Sequence, residues 1–486
     1  MTKRAVVIGA GLGGLAAAVT LQHAGFHTTV LEKHHHPGGK MHEVKVGGAS
    51  FDFGPNTITM PAVFEEVIRR AGGNPEKYMQ FHRLRDHTKN EFHDGTSFVF
   101  SSNKEKMKEE LLPLDPYAAD HYDSYLEEVT KLYHLAEKSF LRRTFRSWKD
   151  YLSLPLARAL LSSRPHQTMN SFHAKYFKDP RVRAAFNRYA TYIGSSPFNA
   201  PATFSLIGHL ELRDGVYYAE GGNFNIAEGI KQFAEDIGVV FRWGEQVHAV
   251  EAENGSIKRA VTEKAVYPAD VMILNGDLLT QVPALIKEKH RPSLPDRFFQ
   301  HLSPSVSAFV LMAELNTTFP LHHHHVFFGP DPGKEFEDIF DRRQYGKSPA
   351  VYLCTNSKTD PSRSPNGDNP FILINAPPVS PDTKALEAED VWRFLEPFGM
   401  NLAPFVKAQR TVTPGDIRST YAAYRGALYG LSSNEKKNTF LRPYNQSKDL
   451  PNLFFAGGST HPGGGSPIVT LSGMNAGKAA AAWYGK

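Results

Sequence analysis

Only one cysteine, Cys354, stands in 486 residues. A single thiol excludes an intramolecular disulfide framework and fits a reducing compartment. Long apolar runs are also missing. No stretch reaches the roughly 18 apolar residues that a membrane-crossing helix needs. The first residues read Lys-Arg and then an apolar run, which superficially resembles a secretory signal. Gly9, Gly11, Gly13 and Gly14 interrupt that run, and a nucleotide-binding turn explains them better. Excess charge is small: the formal net charge is +5, which makes no case for nucleic acid. No internal repeat is visible. What remains is an ordinary globular composition, 41% hydrophobic and 22% charged, in a chain long enough to bury a large core. Length alone suggests roughly three domains; two intertwined ones suit a large enzyme equally. The expectation is a soluble or peripheral cytoplasmic protein.

Residues 4–8 read as a short buried strand, 14–24 as a helix of small residues, and 27–32 as a second strand. That is a βαβ unit of the right length. Residues 104–146 are helix-forming, and 224–237 read as an amphipathic helix. Strands are expected around 238–250, 257–266, 270–274, 305–315 and 349–354. The polar, proline-rich segment 356–381 reads as a surface excursion. The tail closes with strand 453–456, a glycine-rich turn, and a helix from about 467 to 483.

The turn Gly9-Ala-Gly-Leu-Gly-Gly14 is a G-x-G-x-x-G motif. Gly9 allows the tight turn, Gly11 lets backbone approach a pyrophosphate, and Gly14 lets the helix pack on the strand; Leu12 and Gly13 sit between. The helix start faces phosphates with free N–H groups and a favourable dipole. Glu32 ends the second strand, 18 residues after Gly14, where a carboxylate accepts hydrogen bonds from a ribose. FAD is favoured over NAD by three further segments. After Glu32-Lys33 comes His34-His-His-Pro-Gly-Gly-Lys40, where Gly39 and Lys40 suit the same pyrophosphate. Phe51-Asp-Phe-Gly-Pro55 is a tight backbone segment carrying Gly54 and Pro55. Leu453-Phe-Phe-Ala-Gly-Gly-Ser459 then runs into Thr460-His-Pro-Gly-Gly-Gly465. Gly457 and Gly458 start this second glycine-rich junction. The N–H groups of Ile468, Val469 and Thr470, at the start of the next helix, are expected to face a flavin pyrimidine.

On these residues the chain resembles the flavin-dependent carotenoid desaturases and oxygenases, the phytoene desaturase-like family. The resemblance runs nearly end to end and includes Thr59-Met-Pro61. Tyr192-Ile-Gly-Ser-Ser196, Ala200-Pro-Ala202, Tyr218-Ala-Glu-Gly-Gly222, Arg425-Gly-Ala-Leu-Tyr-Gly430 and Pro467-Ile-Val-Thr-Leu-Ser-Gly473 resemble the bacterial diaponeurosporene oxygenase branch. The Ser-Thr-His-Pro-Gly turn around His461 also suits the desaturase branch. The resemblance implies an α/β fold: a Rossmann-like FAD-binding domain with an inserted, discontinuous α+β substrate domain. Residues 1–100, 221–285 and 415–486 would form the FAD domain, with Val247 at the cofactor. Residues 101–220 and 286–414 would form a substrate domain with an apolar tunnel for an acyclic carotenoid. The implied activity is an oxidoreductase step of carotenoid biosynthesis, either oxygenation of a terminal methyl group, as by a monooxygenase, or desaturation by hydride transfer to FAD. An amine oxidase-like flavoenzyme and a non-catalytic flavin-bound carotenoid carrier are the other readings.

His461 lies inside the presumed flavin turn and is the candidate catalytic residue. His322 to His325 read as a polar strand or turn rather than a metal site. Consecutive strand residues point to opposite faces, and no Cys or carboxylate joins them at metal-ligand spacing; His34 to His36 are read the same way. Residues 151–161 are apolar, with Arg142, Arg143, Arg146, Arg158 and Arg164 nearby. Such a segment suits either a buried helix or peripheral attachment to the inner face of an anionic membrane. The 33 Phe and 19 Tyr divide between core and tunnel in a way the sequence does not sort.

Overall fold

The computed structural model describes residues 3–485 apart from 146–147, 152–153, 382, 436–437 and 440. Its first layer follows from runs of apolar, β-branched residues. Arg4–Ile8, His27–Glu32, Val240–Trp243, Val271–Asn275 and Leu453–Ala456 form one five-stranded sheet. All four pairings are parallel, and the order from one edge is 453–456, 271–275, 4–8, 27–32, 240–243. Chain ends separated by more than 400 residues therefore meet in one sheet, and its carboxyl ends face one crevice, where such sheets bind ligands.

The helices Leu12–His23 and Ser466–Tyr484 cross on this sheet. Small residues set their distance. A Cβ on Gly473 would meet the Gly13 carbonyl oxygen at 1.9 Å, and one on Gly477 would meet Thr20 at 2.9 Å. A three-stranded sheet of Val247–Glu253, Ser256–Thr262 and Val266–Pro268 covers the other face.

The second layer is a seven-stranded mixed sheet, ordered 406–412, 307–315, 371–376, 351–354, 324–328, 86–92, 97–101. Asp86–Phe92 and Ser97–Ser101 belong to this sheet, beside 324–328. Phe371–Ala376 is an inner strand between 307–315 and 351–354, although 356–381 reads as a surface excursion. Its short apolar stretch is hidden in sequence by the Pro, Asn and Asp residues before it. The helix-forming stretch 104–146 divides into Lys104–Leu111 and Pro116–Ala136, because Asp115 caps a new start by accepting from the Ala118 N–H at 3.0 Å.

Candidate active site

Two cavities open between the layers. The first, about 490 Å³, lies at the carboxyl ends of the parallel strands. Gly9, Gly11, Leu12 and Gly13 line it, with Glu32, Lys33, Gly39, Lys40, Gly54, Pro55, Val247, Gly457, Gly458 and Val469. The positive φ of Gly9, 98°, makes the turn. Gly14 is not in the lining; it lets the helix approach, since a Cβ there would meet the Gly9 carbonyl at 2.0 Å. The second glycine turn folds onto the first: Gly38 donates its N–H to Ala10 O at 2.9 Å, and a Cβ on Gly39 would lie 3.4 Å from Gly11 Cα.

The chemistry of this lining fits a dinucleotide. Neither Leu12–His23 nor Ser466–Tyr484 has a capping side chain at its start, which leaves N–H donors and dipole for phosphate or an anionic ring. Glu32 is held rigid: its carboxylate oxygens accept from Ala10 N at 2.7 Å and His34 N at 2.9 Å, with lone pairs left for ribose hydroxyls. Lys40 lines the cavity and is also tied to the backbone beside it. Its ammonium donates to Leu428 O at 2.9 Å, tying the 38–41 turn to the 427–428 backbone. Burial pulls its pKa down, while Asp277 pulls it up.

The second cavity, about 310 Å³, is mostly apolar, with Leu135, Phe140, Leu160, Phe204, Leu206, Phe328, Phe336 and Tyr352 among its walls. Gly54, Pro55, Leu373, Leu428, Tyr429 and the Gly464–Ser466 turn line both cavities. The two spaces meet at this turn, so a flat group bound in the first would present an edge to the second. Ile468 lines the apolar side. Thr470 lines neither: its hydroxyl donates to Ser466 O at 2.8 Å inside the helix.

His461 also reaches neither cavity. It is buried, and its Nε2–H donates to Phe140 O at 3.0 Å, with the ring edge-on to Phe145. Burial lowers its pKa to about 4. These contacts tie the glycine turn to the 140–145 segment.

Several groups at the site escape sequence reasoning because their partners are remote. Arg442 is buried and braces the turn through Gly458 O at 3.1 Å and Leu431 O at 3.2 Å. Asp277 accepts from Tyr424 N at 2.7 Å. Glu335 is the one acid lining the apolar cavity among the described residues. It accepts from Ala350 N at 3.0 Å and Asn375 Nδ2 at 3.1 Å, and burial raises its pKa to about 7. No local motif marks any of them.

Strand pairing also does what spacing did not suggest for the histidine run. Only His324 and His325 enter the strand, His324 pairs with Cys354, and donor atoms of His323, His324 and Cys354 lie within 4.8 Å of one another. His323 and His324 each keep one nitrogen on a hydroxyl, of Thr359 and Tyr352.

The apolar segment 151–161 is partly helical, over Leu154–Ser162. Leu156 is buried and Leu160 lines the cavity, while Arg158 and Leu161 are exposed. Arg142 pairs with Glu66 and Glu137, and Arg164 with Glu128; Arg146 lies outside the described residues. No helix among the described residues is long and apolar enough to cross a membrane.

Comparison with known proteins agrees with this geometry. The chain is 32% identical to a 4,4'-diapolycopene oxygenase of Methylomonas sp, over 97% of each chain. It is 31% identical to a 1-hydroxycarotenoid 3,4-desaturase of Flavobacterium sp., again over 97% of each. It is 32% identical to a zeta-carotene-forming phytoene desaturase of Myxococcus xanthus, over 97% of this chain and 92% of that one. Cyclohexylamine oxidase from Brevibacterium oxydans shares the fold, with a TM-score of 0.63 at 14% identity over the whole of both chains. Residues 12–481 match the flavin containing amine oxidoreductases; with its two glycine junctions around one dinucleotide cavity, the chain belongs to that family, an oxidoreductase with FAD as its cofactor.

Proposed function

We propose that the protein oxidises a terminal methyl group of a long acyclic carotenoid to the alcohol and then the aldehyde. The observation that carries this reading is the junction of the two cavities: an apolar space, lined by leucines and phenylalanines, opens on the dinucleotide cavity at Gly464–Ser466. An apolar polyene is stabilised there by burial, at about 25 cal/mol per Å² removed from water. Stretches such as Tyr192–Ser196 and the similarity to the Methylomonas oxygenase favour the methyl end as the point of attack.

When bound, FAD supplies two-electron acceptance at the edge of its ring. The chain supplies the rest. The tunnel walls orient the polyene and exclude bulk water, which places the reacting carbon and holds it. Loss of hydride from an allylic carbon leaves a cation spread over the conjugated chain; no strong base is needed first. A proton must then leave, from water as it adds to the terminal carbon or, in a desaturation, from the neighbouring carbon. Glu335 is the acceptor in this reading, because it lines the cavity and is half ionised near neutrality. Oxidation should then rise with pH through about 7. Glu335→Gln should flatten that profile and slow turnover by about 10²–10⁴. A full-rate Glu335→Gln enzyme with an unchanged pH profile would remove Glu335 from the mechanism.

Desaturation is the second reading, favoured by the Flavobacterium and Myxococcus relatives at comparable identity. The protein would meet its lipid-borne substrate at a membrane surface. The exposed edge of Leu154–Ser162 supports this, because Arg158 and Leu161 face outward on the helix whose Leu160 lines the tunnel. Leu161→Glu should weaken flotation with anionic liposomes, and flotation of the wild type should fall with salt. Undiminished flotation of Leu161→Glu would place the contact elsewhere.

A further inference from the structure

Three buried side chains meet away from the linings of both cavities. His324 is 0% exposed, Cys354 3% and His323 8%. His324 and Cys354 stand directly opposite each other on the antiparallel strands 324–328 and 351–354. His323 precedes its strand, so strict alternation does not send its ring to the opposite face. Its carbonyl still accepts from Thr355 N at 2.8 Å, which fixes the backbone beside Cys354. The two imidazole centroids are 4.5 Å apart. One donor atom from each of the three residues lies within 4.8 Å of the other two. Tetrahedral Zn2+ holds neighbouring nitrogen and sulphur ligands about 3.4–3.6 Å apart, so small side-chain rotations bring this trio onto one ion.

The hydrogen bonds point the same way. His323 Nδ1 lies 2.6 Å from the Thr359 hydroxyl, and His324 Nδ1 lies 2.9 Å from that of Tyr352. A hydroxyl that accepts from one ring nitrogen fixes the tautomer that leaves a lone pair on the other, as in metal-ligating histidines. That other nitrogen, Nε2, is buried in both rings and has no hydrogen-bond partner among the described residues. Polar atoms left unmade in a packed interior are costly, and a shared ion satisfies both. Cys354 is the only thiol of the chain. Burial favours its protonated form, and a thiol that coordinates a metal loses its proton, so binding releases that proton to solvent.

We infer that His323, His324 and Cys354 bind a single thiophilic metal ion, at a site separate from the flavin chemistry. Two imidazoles and a thiolate suit Zn2+. The same thiolate suits Cu+, whose one charge it cancels. The ion's task is structural. Val326 and Phe328 share a strand face with His324, and Tyr352 shares one with Cys354. All three line the apolar cavity, so the ion braces the pair of strands that carries this wall.

The test uses untagged, FAD-loaded protein purified without chelators, with zinc and copper counted by mass spectrometry. The wild type should hold close to one ion per chain, and zinc against copper identifies which. Cys354→Ser and His324→Gln should bind it more than about 100-fold less tightly, beyond the 10–100-fold cost of losing an outer partner, with flavin content retained. His322→Gln, outside the trio, should keep the metal. After stripping by chelator, Co2+ should restore a thiolate-to-cobalt absorption band, which only Cys354 can supply in this chain. Should the Cys354 and His324 variants fail to fold, that band in the wild type still decides. A wild type that takes up none of zinc, copper or cobalt, or binds cobalt without the thiolate band, would overturn the inference. So would metal held undiminished by a folded Cys354→Ser or His324→Gln.

Discussion

A structural role is the reading proposed for His461. Its buried imidazole donates to Phe140 O, which gives shape to the turn, and it is not among the residues lining either cavity. Removing it should leave flavin reduction by substrate unchanged in FAD-loaded protein, and should lower stability by about 1 kcal/mol through the lost hydrogen bond. The pH dependence follows from the same burial. The folded pKa, about 4, lies below the unfolded value of about 6.5. The stabilising contribution is therefore fully present above pH 6.5 and is lost as pH falls toward 4, worth about 3 kcal/mol in total. Urea midpoints of the wild type should fall over that window, and less steeply in His461→Ala. A slowed reductive step in His461→Ala, with full FAD content, would restore the catalytic reading. Residues such as Gly9, Gly11 and Glu32 were legible in sequence because their chemistry is local: turn, helix start and carboxylate fall within one βαβ unit. Glu335 and Arg442 were not, because what matters about each is set by partners outside its own element: the Ala350 N–H and Asn375 amide for one, the Leu431 and Gly458 carbonyls for the other.

At the scale of elements, the site depends on how closely two helices approach. Leu12–His23 opens the cavity at one end of the chain and Ser466–Tyr484 at the other, and Gly473 against the Gly13 carbonyl sets their separation. Gly473→Val has no room without moving one helix start. Overpacking of this kind costs about 1–3 kcal/mol, and here it displaces the donors meant for the cofactor. The variant should purify with little flavin absorbance and a lowered melting temperature. Normal flavin content would show that the crossing is not what sets the cavity. The elements themselves were largely readable, since 4–8 and 27–32 are short β-forming runs around a glycine turn, 225–236 is amphipathic, and 466–484 carries Pro467 in its first turn. Phe371–Ala376 was missed because a central strand six residues long, flanked by turn-formers, has the composition of a loop with an apolar patch.

The whole molecule joins two sheets of different character. The parallel one collects both chain ends around a dinucleotide cavity, and the mixed one supplies the wall of the apolar tunnel. That division was legible because glycine motifs at both termini require one shared cavity. The place of 86–92 in the mixed sheet was not, since 88–92 pairs with 324–328, more than 200 residues away. The proposed reaction takes place where the two cavities meet, and the direct measurement is of product mass. FAD-loaded protein incubated aerobically with an acyclic carotenoid should yield a product that has gained one oxygen atom and lost two hydrogens at a terminal carbon, by way of the alcohol. A product that has lost hydrogens without gaining oxygen, or a carotenoid recovered unchanged while the flavin stays oxidised, would contradict a terminal-methyl oxygenase.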